Sequence, residues 1–318
     1  DEKSDSVPMH GEVFVIGESQ DGKLIVAGLL EDKTEIVLLA VTAQGEQKPQ
    51  IIASADTGLL YFDAVSPYSS KAGEEGVQFV CSGTSRSEQA GSDVVLCRLE
   101  GSVLTVPVRI PIHKNAGIEF LASGDLDGDG QGEILAGADD HSREFGGFSM
   151  ITVWQLSGKE AKKLTESAGH DMLSGMAAGD FDGDGKTEIA MAERVSDLNL
   201  YRYVKGKIER DPEAGARIGE PAGMGGDEPL LVRRRMGTQR ADELIILDRA
   251  RRLLLRSRLA HGRFAAPEVL VTFAPEVYAY SLQSPGPQRD GRPEKLFIGV
   301  RVKETDADGE VTKCLVYE

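Results

Sequence analysis

The sequence predicts an all-β fold, a β-propeller of six four-stranded blades. Three observations carry that prediction: a repeat of nearly constant length, hairpin glycines that keep its phase, and short apolar strands with no helical period. The repeat is plainest where residues 124–137 read GDLDGDGQGEILAG and residues 179–192 read GDFDGDGKTEIAMA.

The repeated strands follow in order along the chain. Lys23 opens KLIVAG, Gln78 opens QFVCSG, and Glu133, Glu188 and Glu243 open the next three, each 55 residues after the last. Glu294, in EKLFIGV, comes 51 residues after Glu243. Glycines in polar turns keep the same beat: Gly45, Gly101, Gly158, Gly206 and Gly262 are spaced by 56, 57, 48 and 56 residues. Turns of this kind need positive φ, which glycine adopts most cheaply.

Four strands per unit follow; in the third unit they are expected near residues 118–124, 133–138, 149–156 and 159–166. Val, Ile, Leu and aromatic residues alternate with polar ones there, as half-buried strands require. No segment repeats apolar residues at i, i+3, i+4 and i+7 over three turns, so very little helix is expected. One domain spans 1–318, with blades at about 9–55, 56–113, 114–168, 169–222, 223–274 and 275–318. Residues 314–318 read as the third strand of the last unit, which leaves residues 1–8 as the segment expected to close the ring. The chain begins at Asp1 rather than Met, as expected of a processed chain or part of a longer one.

Chemistry concentrates in the two GD-D-D-G loops. Asp125, Asp127, Asp129 and Glu133 stand at loop positions 1, 3, 5 and 9, and Asp180, Asp182, Asp184 and Glu188 repeat the arrangement. Alternate residues of a tight glycine-rich loop turn toward one centre. Position 7, Gln131 or Lys186, offers its carbonyl, and the Lys186 ammonium must point outward. Such an all-oxygen shell suits Ca²⁺, whereas Mg²⁺ prefers a smaller octahedron that keeps several waters. Two calcium sites are expected, since without a cation the clustered carboxylates repel. An EF-hand is excluded because position 12 is Ala136 or Met191 and the flanks are strand-like. A phosphate loop is excluded by the surrounding acids.

Both loops and their flanks, residues 120–139 and 172–193, resemble FG-GAP/VCBS repeats, the calcium-loop blades of the integrin α-subunit propeller and of many bacterial surface proteins. The resemblance implies calcium between the first two strands of certain blades, on an extracytoplasmic protein that binds partners. It departs from the family pattern in having six units where seven are usual. Most loops also lack ligands: the fifth has Arg235, Gly237 and Gln239 at positions 1, 3 and 5, the sixth keeps only Asp290-Gly291, and the first only Asp21-Gly22.

Charge sharpens the partner question. Lys and Arg total 36 against 52 Asp and Glu, a net −16, which argues against binding a nucleic-acid backbone. Between Arg233 and Arg263, however, ten arginines face three acids. Arg233, Arg234, Arg235, Arg249, Arg251 and Arg252 are thus candidates for docking a protein or an acidic glycan, as part of a larger assembly, because guanidinium recognises carboxylate and sulfate bidentately. The alternative is that these arginines pair with acids of neighbouring blades and replace missing calcium by bridging loop acids.

No apolar stretch reaches membrane-spanning length. Cys81, Cys97 and Cys314 are too few for a disulfide scaffold; Cys81 and Cys97 fall on neighbouring strands and read as small buried residues, with a bridge as the alternative. His10, His113, His141, His170 and His261 are scattered over different units, and none sits in a nucleophile motif. The expected function is therefore a non-catalytic, calcium-stabilised, extracytoplasmic binding or assembly module. The alternative is a secreted polysaccharide lyase or hydrolase, with converging carboxylates at the mouth of the propeller channel.

Overall fold

The computed structural model describes residues 9–19, 23–30, 34–41, 50–68, 77–84, 92–112, 116–140, 149–170, 173–193, 197–218, 229–284, 294–303 and 310–317. Among these the chain is all-β, with no helix.

The first sheet is a meander of β1 (Met9–Glu18), β2 (Leu24–Leu30), β3 (Glu35–Val41) and β4 (Gln50–Asp56). The second comprises β5 (Ala64–Pro67), β6 (Val77–Thr84), β7 (Ser92–Glu100) and β8 (Val103–Pro111). The third comprises β9 (Ala116–Gly124), β10 (Glu133–Asp140), β11 (Ser149–Ser157) and β12 (Glu160–His170). The fourth comprises β13 (Leu173–Gly179), β14 (Glu188–Glu193), β15 (Asp197–Val204) and β16 (Lys207–Arg217). The fifth comprises β17 (Leu230–Arg235), β18 (Asp242–Asp248), β19 (Leu253–Ser257) and β22 (Glu268–Thr272), interrupted by the two-residue strands β20 (Leu259–Ala260) and β21 (Arg263–Phe264). The last sheet has three strands, β23 (Val277–Gln283), β24 (Leu296–Lys303) and β25 (Glu310–Tyr317).

The expectation of six four-stranded blades is therefore corrected: five four-stranded blades are present among the described residues, and the final unit stops at three strands. Among the described residues β25 is the outermost strand of that unit and pairs with β24 alone. The segment expected to close the ring, residues 1–8, lies outside the described residues, as do Gly45, Asp21-Gly22 and Asp290-Gly291. The first and last sheets meet by packing: Phe297 of β24 sits among Val15, Leu24, Val26 and Leu39 of the first sheet. Lys295 also bonds Glu18 at 3.1 Å.

Successive sheets stack face to face, and each junction has its own apolar core. Phe181, Leu198 and Ala214 of the fourth sheet meet Leu231, Leu244 and Phe264 of the fifth, for example. Because both faces of a middle strand are covered, β14 and β18 are buried along their whole length, whereas the outermost β16 is largely exposed. Middle strands accordingly read as nearly continuous apolar runs rather than as alternation.

Backbone bonds register one sheet on the next at the loop positions. Thr187 N–H donates to the Asp125 carbonyl at 3.2 Å, Asp242 N–H to Asp180 at 2.7 Å, and Glu294 N–H to Arg235 at 3.0 Å. The acceptors stand 55 residues apart, so the sequence period is also the period of the junctions. Gly124 permits this approach, since a Cβ there would lie 2.6 Å from Thr187 Cγ2. Cys81 and Cys97 are buried free thiols with their Sγ atoms 4.0 Å apart.

Candidate active site and metal loops

The inner strands enclose a cavity of about 470 Å³ on the axis. Phe14 of β1, Val65 of β5, Phe120 of β9, Met176 of β13, Arg233 of β17 and Tyr280 of β23 all line it, so each sheet contributes. Asp63 and Glu119 are the carboxylates on its wall. Asp63 precedes β5 and is fixed by its N–H bond to the Ser82 carbonyl at 2.9 Å. Burial, reinforced by the charge of Glu119, pushes the Asp63 carboxyl up to about 7.

Glu119 reaches the cavity through a defect in the strand. Gly137 pairs with Phe120 but Ala138 pairs with Ile118, so Glu119 is the extra residue of a β-bulge. In β23, Ala279 pairs with Val300 and Ser281 with Gly299, which makes Tyr280 another extra residue. Bulges re-aim side chains and reset the alternation of faces. Two cavity-lining groups, Glu119 and Tyr280, thus stand on bulges. Sequence reasoning missed Asp63, Glu119 and Tyr280, since none belongs to a motif.

The acidic loops form where expected. In the loop between β9 and β10, Gly128 and Gly130 N–H groups donate to Asp125 at 2.8 and 2.9 Å. Asp129 N–H donates to Asp127 at 3.1 Å, Gln131 N–H to Asp129 at 2.8 Å, and Leu126 N–H to Glu133 at 2.8 Å. The loop between β13 and β14 repeats every bond, with Gly183 and Gly185 on Asp180, Asp184 on Asp182, Lys186 on Asp184 and Phe181 on Glu188. Gly128, Gly130, Gly183 and Gly185 all have positive φ.

Carboxylate oxygens of Asp125, Asp127 and Glu133 lie within 4.8 Å of one another, as do those of Asp180, Asp182 and Glu188. Asp129 and Asp184 stand outside these sets; Asp129 instead also accepts from Gln155 at 3.0 Å. Gln131 donates its side-chain amide to Asp129 at 3.1 Å, and Lys186 is exposed. Glu133 is fully buried and Glu188 nearly so. Burial, with Asp127, Asp129 and Asp125 adding to it, pushes Glu133 up to about 7. Glu188 is also pushed up to about 7, by burial and Asp182, against the opposing pull of Arg202. A hard cation would relieve both, so the donor set fits calcium.

The arginine-rich stretch is woven into ion pairs. Arg233 bonds Glu294 of the next sheet at 3.0 Å, and buried Arg234 donates to the Glu294 carbonyl at 2.8 Å. Arg235, at the loop position held by Asp125 and Asp180 in the preceding blades, bonds Asp242 at 2.7 Å. Arg251 pairs with Asp248, and Arg256 and Arg258 with Glu243. Arg249 lines the axial cavity beside Arg233, and Arg252 is exposed in a left-handed turn at φ 57°.

A β-propeller whose axial cavity carries two carboxylates is thus the class that fold and site define. No protein-family model matches the chain, and no curated protein matches it. Among solved structures it is similar to the PQQ-bound aldose sugar dehydrogenase of Streptomyces coelicolor, at 14% identity and TM-score 0.53, over 98% of this chain and 100% of that one. It is similar also to the α-L-arabinanase of Penicillium chrysogenum complexed with arabinobiose, at 12% identity and TM-score 0.54, over 95% of this chain and 91% of that one. At these identities the likeness is one of fold. The expectation of a non-catalytic module is corrected by these findings. Both neighbours are enzymes of sugars, and the axial cavity holds the carboxylates expected of the catalytic alternative.

Proposed function

We propose that the chain is a carbohydrate-active enzyme that cleaves glycosidic bonds at the axial cavity. The observation that carries this reading is Asp63, held protonated up to about pH 7 beside Glu119 in that cavity. Glycosidic cleavage needs one carboxyl that gives a proton to the leaving oxygen and a second that activates water or attacks the anomeric carbon. Asp63 supplies the first and Glu119 the second. Phe62, Phe120 and Tyr280 offer apolar faces for sugar rings, and Arg233 and Arg249 suit a substrate bearing carboxylates, a uronic-acid polymer. The experiment is incubation with acidic and neutral polysaccharides, reading new reducing ends for hydrolysis and unsaturated ends for elimination. Release of either, lost in Asp63→Asn, supports the reading; no release from any polymer by the folded protein rejects it.

The two acidic loops support a structural role for Ca²⁺, with Asp125, Asp127 and Glu133 holding one ion and Asp180, Asp182 and Glu188 the other. The two loops, alike in their backbone N–H bonds to carboxylates, are what favours kinship with FG-GAP/VCBS repeats. Loops of this kind fill where calcium is millimolar, which favours an extracytoplasmic location.

A further inference from the structure

A second group of reactive side chains lies away from the axial cavity, at the junction of the third and fourth sheets. Ser167 Oγ is 2.9 Å from His170 Nε2, and His170 Nδ1 is 3.3 Å from Glu193 Oε1. Ser167 and His170 are three apart on β12, a spacing that places side chains on opposite faces of a regular strand. A bulge reverses that. Met150 pairs with Ala168 and Ser149 with His170, so Gly169 is the extra residue and positions 167 and 170 return to one face.

Glu193 ends β14 and is held from the other side by β15. Tyr201 donates to its Oε1 at 2.9 Å, and the Asn199 amide donates to Oε2. Burial works against its charge, but the bonds from His170, Tyr201 and Asn199 prevail and hold the carboxyl below its usual range. An ionised Glu193 accepts only, so the neutral imidazole carries its proton on Nδ1 and leaves Nε2 to accept from Ser167. The Tyr201 ring crosses the imidazole edge-on, centroids 5.3 Å apart and planes at 72°, which fixes its orientation. His170 is 7% exposed and Glu193 6%, while Ser167 is half-buried. Base and carboxylate are thus enclosed, and the residue that carries the hydroxyl is partly exposed.

We propose that Ser167, His170 and Glu193 form a second catalytic centre that hydrolyses short-chain carboxylic esters. Ser167 Oγ attacks the acyl carbonyl as His170 Nε2 takes the hydroxyl proton. His170 returns that proton to the departing alkoxide, which leaves as the alcohol with the acyl group on Ser167. Water then attacks the acyl-enzyme, giving its proton to His170; the carboxylic acid leaves as Ser167 recovers a proton. Ester and water become alcohol and acid, with no other reactant. β12 is the outermost strand of its sheet among the described residues, and backbone N–H groups on an outer strand edge are the kind of donor the oxyanion needs.

The test uses the full chain and two probes. A fluorophosphonate should label Ser167 on the native protein, read by peptide mass spectrometry, and p-nitrophenyl acetate should be hydrolysed. Ser167→Ala should abolish the label and slow hydrolysis by about 100-fold or more. Glu193→Gln, which keeps an oxygen for Tyr201, should weaken labelling without changing the circular dichroism. Folded wild-type protein that takes no label at Ser167 overturns the proposal, as does an unchanged hydrolysis rate in Ser167→Ala.

Discussion

Arg202 donates to Glu188 Oε1 at 2.8 Å and also bonds Asp182 at 3.0 Å. In the preceding blade Gln155 holds the corresponding place on β11, opposite Glu133, and reaches Glu133 Oε1 at 3.3 Å with a neutral amide. The two loops therefore match in backbone but differ in charge. In the fourth sheet a guanidinium already supplies part of the positive charge that a metal would bring.

Calcium should accordingly bind the loop of the third sheet more tightly than that of the fourth. Calorimetric titration should resolve two classes of site, with Glu133→Gln removing the tighter and Arg202→Gln strengthening the weaker. An ion bound only by the native state adds about 2.7 kcal/mol at free calcium 100 times its Kd. Chelation should lower the melting temperature and calcium restore it; identical melts with and without chelator would refute the metal.

The raised Asp63 carboxyl makes a signed pH prediction. The native state keeps its proton up to about 7, whereas in the unfolded chain Asp63 ionises near the usual value of about 4. Its contribution to stability is therefore complete below about pH 4 and is lost as pH rises through about 7. Proton donation fails over the same rise, so glycosidic cleavage should fall above about pH 7. In Glu119→Gln one of the influences raising Asp63 is gone, and NMR titration should find the Asp63 midpoint at lower pH.

Phe181 tests the junction core. It follows Asp180 in the loop, is fully buried and meets Phe264 edge-on with centroids 5.7 Å apart. Phe181→Ala should cost about 3–5 kcal/mol in chemical denaturation. A loss below about 1 kcal/mol would mean that the fourth and fifth sheets do not depend on this contact.

Cys81 and Cys97 should resist alkylation in the native protein. Both are buried, and burial, with Cys97 beside it, pushes the Cys81 thiol well above its ordinary range. Peptide mapping after iodoacetamide should find neither modified before unfolding and both modified after it. A Cys81–Cys97 disulfide under non-reducing conditions would contradict the free-thiol arrangement.

Much of this protein was legible from residue order alone. Glycines and strand openers at a spacing near 55 established the repeat, and the third sheet's strands begin within two residues of expectation. The acidic loops were legible because all four carboxylates of each loop lie within nine residues and the glycines fix the turn locally. Whether the fifth loop's arginines stand free or bridge acids was not legible, because the Glu294 partner of Arg233 comes from the next sheet.

The axial and junction sites were decided by tertiary structure. Glu119 enters the cavity, and Ser167 meets His170, at bulges that reverse the two-residue alternation on which strand reading depends. His170 and Glu193 meet only because the third sheet stacks on the fourth. Local sequence determines what repeats with the chain; contacts across the ring depend on where stacking sets one sheet against another, and no local pattern carries that distance.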